Sequence, residues 1–200
     1  MTLIGRLHGR LVHRGRVRVL CDALSGLLPD QASVLDVGCG DGLLSGLIAG
    51  KRNDINVSGI DVLVRDNPAI PIKEFDGTTI PFPDKSFDIV MFVDVLHHTV
   101  DPTVLLKEAA RVATKGIVIK DHLREGLLAN TTLRFMDFIG NAPHGVALPY
   151  NYWTRKKWHQ AFDNLGLTIK FWNSNLSLYP APASWFFDRS LHFLACLCPQ

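Results

Sequence analysis

Val34-Leu35-Asp36-Val37-Gly38-Cys39-Gly40-Asp41-Gly42 is the stretch whose reading decides the fold. It begins as an apolar run of strand length broken only by Asp36, passes through glycines at 38, 40 and 42, and leads into a helical stretch from Gly42 to Ala49. A strand that turns through glycines into a helix lets a ligand approach the main chain closely, because no Cβ stands in the way. A dinucleotide-binding turn also presents three glycines, but as G-x-G-x-x-G, and position 43 is leucine. Asp41 would also put a negative charge where a pyrophosphate sits at a helix N-terminus, which is unfavourable. A ligand with a positive centre fits better, and Asp36 is placed either to receive that centre or to order the loop.

Outward from this turn, apolar runs of strand length alternate with helical stretches, the pattern of a mainly parallel sheet with crossover helices. We expect a helix from Val12 to Leu28, ended by Pro29, and strands at Ser33 to Val37, Asn56 to Ile60, Ile70 to Phe75, Phe87 to Val95 and Gly116 to Lys120. Val62 to Ala69 is too short and, with Asn67 and Pro68, too rich in breakers for a full crossover helix. Asp101 followed by Pro102 opens a helix to Val112, and Thr154 opens another to Leu165, stopped by Gly166. Between them lies a looser region from Leu123 to Tyr152, with a helix expected as far as Ile139. Leu167 to Trp172 and His192 to Cys198 suit an antiparallel hairpin better than a crossover.

Two hundred residues make one domain, 1–200, of ordinary size. A content of 47% hydrophobic and 20% charged residues suits a sheet covered on both faces. A formal charge of +2 gives no general drive towards nucleic acid. Cys21, Cys39, Cys196 and Cys198 lack zinc-site spacing and read as reduced thiols, so no metal is expected. The first twenty residues carry scattered arginines and no window of ~18 apolar residues occurs, so the reading is a cytoplasmic protein without signal peptide or spanning helix. Residues 1–30 form a basic arm and helix, with Arg6, Arg10, Arg14, Arg16 and Arg18 beside His8 and His13. This is either a solvated face or a contact for an anionic substrate or a peripheral membrane surface.

Four motifs in order carry a resemblance: Val34 to Gly42, then Gly59-Ile60-Asp61, then Phe75-Asp76-Gly77-Thr78-Thr79-Ile80-Pro81-Phe82-Pro83-Asp84-Lys85-Ser86-Phe87-Asp88, then Val93-Asp94-Val95-Leu96-His97-His98. Over about Val34 to Asp121 the chain resembles the class I S-adenosylmethionine-dependent methyltransferases, within them the type 11 group that includes ubiquinone and menaquinone biosynthesis enzymes. The resemblance implies a Rossmann-like three-layer α/β sandwich, with a mainly parallel seven-stranded sheet ending in an antiparallel hairpin. It also implies S-adenosylmethionine as cofactor. Gly38, Cys39 and Gly40 would then flank the methionine end, Asp61 with Val62 would take the ribose hydroxyls, Asp76 with Gly77 the adenine amino group, and Val93 with Asp94 would line the pocket floor. The abbreviated connection after Asp61, and Thr114-Lys115-Gly116 in place of a longer Pro-Gly-Gly turn, depart from the pattern.

Methyl transfer from a sulfonium is an in-line displacement, so holding acceptor and methyl in line supplies most of the catalysis. A base is needed only where the acceptor must lose a proton. His97 and His98 after the fourth strand, and Asp121 and His122 after the fifth, are the candidates on the rim, with His122 first. Residues 123–153 would supply a substrate lid, centred on Asn141 to Tyr152. Trp153, Trp158, Phe162 and Trp172 are read as core. The expected function is methyl transfer to oxygen or carbon of a small organic acceptor. A nucleic-acid or protein methyltransferase is the first alternative, and the chain lacks the Asn-Pro-Pro-Tyr-like tetrapeptide such enzymes use for amino groups. A non-catalytic cofactor-binding regulatory subunit is the second.

Overall fold

Strand and helix alternate along the chain as the apolar runs require. The computed structural model describes residues 15–141 and 149–199. In chain order it comprises α1 (residues 15–25), β1 (Ser33–Val37), α2 (Leu43–Lys51), β2 (Asn56–Asp61), β3 (Ile72–Glu74), β4 (Phe87–Val93), α3 (Pro102–Val112) and β5 (Ala113–His122). There follow α4 (Ala129–Asn141), α5 (Arg155–Asn164), β6 (Leu167–Asn173), α6 (Ser184–Phe187) and β7 (His192–Pro199). A 3-10 turn, Leu96–His98, separates β4 from α3.

Among the described residues the strands form one seven-stranded sheet in the order β3-β2-β1-β4-β5-β7-β6. The first five pair in parallel, and β7 runs antiparallel to both β5 and β6. The chain steps outward from β1 to β3 and then returns to the other side of β1. This reversal opens a crevice at the carboxyl ends of β1 and β4, where open α/β sheets bind ligands.

Strand alternation makes the sheet the middle of three layers. Val90 and Phe92 of β4 enter one apolar cluster with Leu105, Leu106 and Ala109 of α3 and Trp158 and Phe162 of α5. Ile89 and Met91 enter the other with Leu20 and Leu24 of α1 and Ile48 of α2. The expected Rossmann-like sandwich is therefore present. Helix starts follow local chemistry: Asp101 accepts the Thr103 N–H at 3.0 Å ahead of Pro102, and Thr154 accepts the Lys157 N–H at 3.3 Å.

Some boundaries differ from the sequence reading. β3 starts at Ile72 rather than Ile70, since Pro71 has no N–H to give a ladder and Ile70 is instead buried against Gly42. α4 starts at Ala129 rather than near Leu123, because Gly126 and Leu128 take positive φ (85° and 61°) just before it. β5 extends through His122, which pairs with His192 of β7. The strands of the hairpin are joined by a longer passage that contains α6. Residues 1–14 of the basic arm and 142–148 of the expected lid lie outside the described residues.

Candidate active site

At the crevice lies a cavity of about 710 Å³, within the range of small-molecule sites. Gly38, Cys39 and Gly40 after β1, Asp61 at the end of β2 with Val62 and Leu63 beyond it, and Phe75, Gly77 and Thr78 after β3 form one side. Asp94 and Val95 after β4, then His98, Thr99 and Val100 with Val104 and Leu105 of α3, form the other. Gly38 has φ 74°, and a Cβ there would come within 2.6 Å of Val95 Cγ2. Gly40 has φ 62°, and a Cβ there would meet nothing within 4 Å, so a side chain would project into space beside the ligand crevice. The turn is thus a cradle that side chains would close or fill. Asp41 bonds the Leu43 N–H at 3.0 Å and places its carboxylate on the N-terminus of α2, which disfavours a pyrophosphate there.

Asp61 is half-buried in the cavity wall. Its Oδ2 accepts the Gly40 N–H at 2.7 Å and its Oδ1 the Leu63 N–H at 3.0 Å, so it ties the two loops together and each oxygen retains a further lone pair. Asp76 is outside the wall. Its Oδ1 takes the N–H groups of Thr79 and Thr78, both at 2.7 Å, and these bonds hold the carboxyl below its ordinary range while fixing Gly77 and Thr78 in the wall. Asp36 lies beneath the turn, not in the wall. Ser45 Oγ donates to its Oδ2 at 2.6 Å, Oδ1 has no hydrogen-bond partner among the described residues, and burial pushes the carboxyl up to about 7. Val93 packs into the core with α1 and α2, and Val95 takes the place in the wall that the sequence reading gave it.

Asp94 has φ 57° and joins the cavity to a buried polar network. Lys120 Nζ and Arg16 Nη2 both donate to its carboxylate. Burial would raise this carboxyl, and the two cations outweigh burial and hold it well below its ordinary value. Lys120, fully buried, also donates to His192 Nδ1 at 3.3 Å, which leaves the other ring nitrogen of His192 to donate to the Phe187 carbonyl at 3.1 Å. Arg16 is therefore tied to the cavity wall through Asp94 rather than lying on a solvated basic face, which corrects that alternative for the arm at this residue.

Asp121 and His122 do not reach the cavity wall. Asp121 is fully buried and accepts the N–H groups of His122 at 2.6 Å and Leu96 at 2.9 Å, with His97 Nδ1 at 2.6 Å. His97 also has Nε2 3.3 Å from Asp137, whose carboxylate takes the Tyr152 hydroxyl. Burial would lower His97, but Asp121 and Asp137 override it and raise the imidazole to about 10. His122 is buried with Nδ1 3.2 Å from His97 Nδ1, and burial followed by His97 lowers its pKa. His98 alone of the three histidines faces the cavity. Its ring lies 4.0 Å from that of His97, and burial followed by the His97 charge pushes it down to about 4. His97, Asp121 and His122 lie close enough to hold a metal ion, as do His97, His98 and Asp137. Most of these atoms bond one another in the structure.

The sequence reading missed Asp137, Tyr152, Arg16 and His192 as members of this network. Asp137 in an amphipathic helix and His192 in an apolar strand were the available signals, each a polar residue at a position of core periodicity.

Comparison with known proteins agrees with this geometry. Residues 12–170 match a family model described as a methyltransferase domain. The 27-O-demethylrifamycin SV methyltransferase of Amycolatopsis mediterranei is 32% identical over 112 residues, 48% of this chain and 41% of that protein. The 2-methyl-6-phytyl-1,4-hydroquinone methyltransferase of Synechocystis is 35% identical over 102 residues, 46% of this chain and 32% of that protein. The match thus spans less than half the length of either relative. In fold, the chain is similar to one from Haloferax volcanii solved with the Trm112 methyltransferase activator, at TM-score 0.70 and 17% identity over 98% of this chain and 95% of that one. The glycine cradle, the carboxylate ending β2 and the cavity size all suit S-adenosylmethionine, the cofactor of this family. The chain belongs to the class I S-adenosylmethionine-dependent methyltransferases, and the type 11 resemblance is consistent with that placement.

Proposed function

We propose that the chain transfers a methyl group from S-adenosylmethionine to oxygen or carbon of a small organic acceptor. When bound, S-adenosylmethionine supplies a methyl already attached to a good leaving group, its sulfonium. The chain's residues then have two tasks, holding the cofactor and aligning the acceptor. Gly38, Cys39 and Gly40 would border its methionine end, and Asp61 would accept the ribose hydroxyls on its remaining lone pairs. Gly77 and Thr78, fixed by Asp76, would border the adenine. The acceptor would lie against the apolar wall of Val100, Val104 and Leu105, with His98 to accept its proton. His122 and Asp121 would act through His97 rather than on the acceptor. The names of the curated relatives, which concern small organic molecules, support an acceptor of this class.

The observation that carries this reading is Asp61 in the wall of the cavity, bonded to the glycine turn. Asp61→Asn should weaken S-adenosylhomocysteine binding by about 1.5–3 kcal/mol, the range for hydrogen bonds to charged groups. Calorimetric titration reads this directly. Unchanged affinity would remove Asp61 from the cofactor site.

A further inference from the structure

The carboxyl rim of the sheet carries an apolar surface that the methyl-transfer reading does not use. Leu127 and Leu128 precede α4, and Phe135 and Phe138 project from it, with exposures of 85%, 63%, 55% and 59%. Phe135 and Phe138, three residues apart, share one face of α4, while Leu133 and Asp137 face inward. Trp185 and Phe186 of α6 are equally exposed, at 69% and 60%. They adjoin α4, because Arg189 donates both to the Phe186 carbonyl and to Thr132 Oγ1, at 3.1 Å each.

The exposed charges beside this surface are arginines. Arg124, Arg134 and Arg189 are exposed, whereas the nearby acids Glu125 and Asp188 are half-buried and Asp137 is buried. Glu125 takes the Arg155 N–H, Asp137 the Tyr152 hydroxyl, and Asp188 the N–H groups of Leu178 and Tyr179. Arg16 pairs with Asp94 at the end of β4, so α1 starts at this same rim. No described helix is long and apolar enough to cross a membrane. Aromatic and leucine side chains ringed by arginine are the composition of a surface that lies in the headgroup region of a bilayer.

We propose that the exposed face of α4, together with α6, docks onto an anionic lipid surface. The phenyl, indole and leucine groups enter the headgroup–acyl boundary and the arginines meet lipid phosphates. The docked helix is joined to the polar network beside the cavity, since Asp137 on its inward face reaches His97, the neighbour of His98.

The test is sedimentation of the whole chain with phosphatidylcholine vesicles, with and without phosphatidylglycerol. Binding is expected only to the anionic vesicles, decreasing with salt. Phe135→Ser with Phe138→Ser should reduce it by about tenfold or more, from the apolar area withdrawn, and Trp185 emission should shift to the blue on binding. Because these residues are exposed, the melting temperature and S-adenosylhomocysteine titration of the variant should match the parent. Those controls separate failure of this proposal from failure of the methyltransferase reading. Equal binding to neutral vesicles, or binding unaffected by the double substitution, would overturn the proposal. So would absence of binding to the anionic vesicles, and concentration-dependent self-association would then assign the face to a second copy of the chain.

Discussion

His98 and His122 show how differently two histidines on one rim can behave. His98 is in the cavity wall and its neighbour His97 is an imidazolium, so His98 stays neutral across the physiological range and can accept a proton. His98→Ala should lower turnover of an acceptor that must lose a proton by about 10²–10⁴, the usual worth of a positioned base, with S-adenosylhomocysteine affinity nearly retained. With a pKa near 4, the rate should stay level well below pH 6.5 and fall only towards 4. A descent centred on 6.5 would show that His98 is not the base. The resemblance named many of the residues that line the cavity, because a glycine turn and a carboxylate at the end of a strand occupy fixed places in sequence. It could not rank the rim histidines, since that order depends on Asp121 and Asp137, brought to His97 from separate elements.

Elements whose ends are set by local chemistry were legible. α3 begins at Pro102 because Asp101 accepts both the N–H and the hydroxyl of Thr103, and both residues announce a helix start in sequence. Asp101→Ala should therefore destabilise the chain by about 0.5–2 kcal/mol, and Asp101→Ser by much less. Urea unfolding with unchanged slope checks both, and equal losses would show that the carboxylate acts otherwise than as a cap. Elements whose ends are set by partners were less legible. β5 runs on through Asp121 and His122 because β7 pairs with them, and nothing within β5 itself records that register. β3 is short because Pro71 and the burial of Ile70 prevent an earlier start.

At the scale of the whole molecule the sandwich closes over charge, and this makes stability depend on pH in a stated direction. Asp94, Asp121 and Asp137 are set against Arg16, Lys120 and His97 in the network beneath the rim, and His97 keeps the balance only while protonated. Its pKa is raised from 6.5 unfolded to about 10 folded, so its contribution is complete below pH 6.5 and is lost as pH rises towards 10. Asp36, raised to about 7, is half changed at pH 7 and has nearly finished by pH 8, and Cys39 and Cys196, whose thiols burial pushes up, change chiefly around their ordinary 9 and above. His98 acts on the acid side, taking stability away as pH falls from 6.5 towards 4. The interval from pH 8 to 9 therefore reports mainly on His97. Thermal unfolding followed across that interval should give a melting temperature that falls steadily as pH rises. His97→Gln retains a donor for Asp121 but carries no charge, so it should melt lower at pH 8 and vary much less by pH 9. Parallel slopes for the two proteins would show that His97 is already neutral in the folded chain, and His98 would then lose the neighbouring charge that holds its own pKa down.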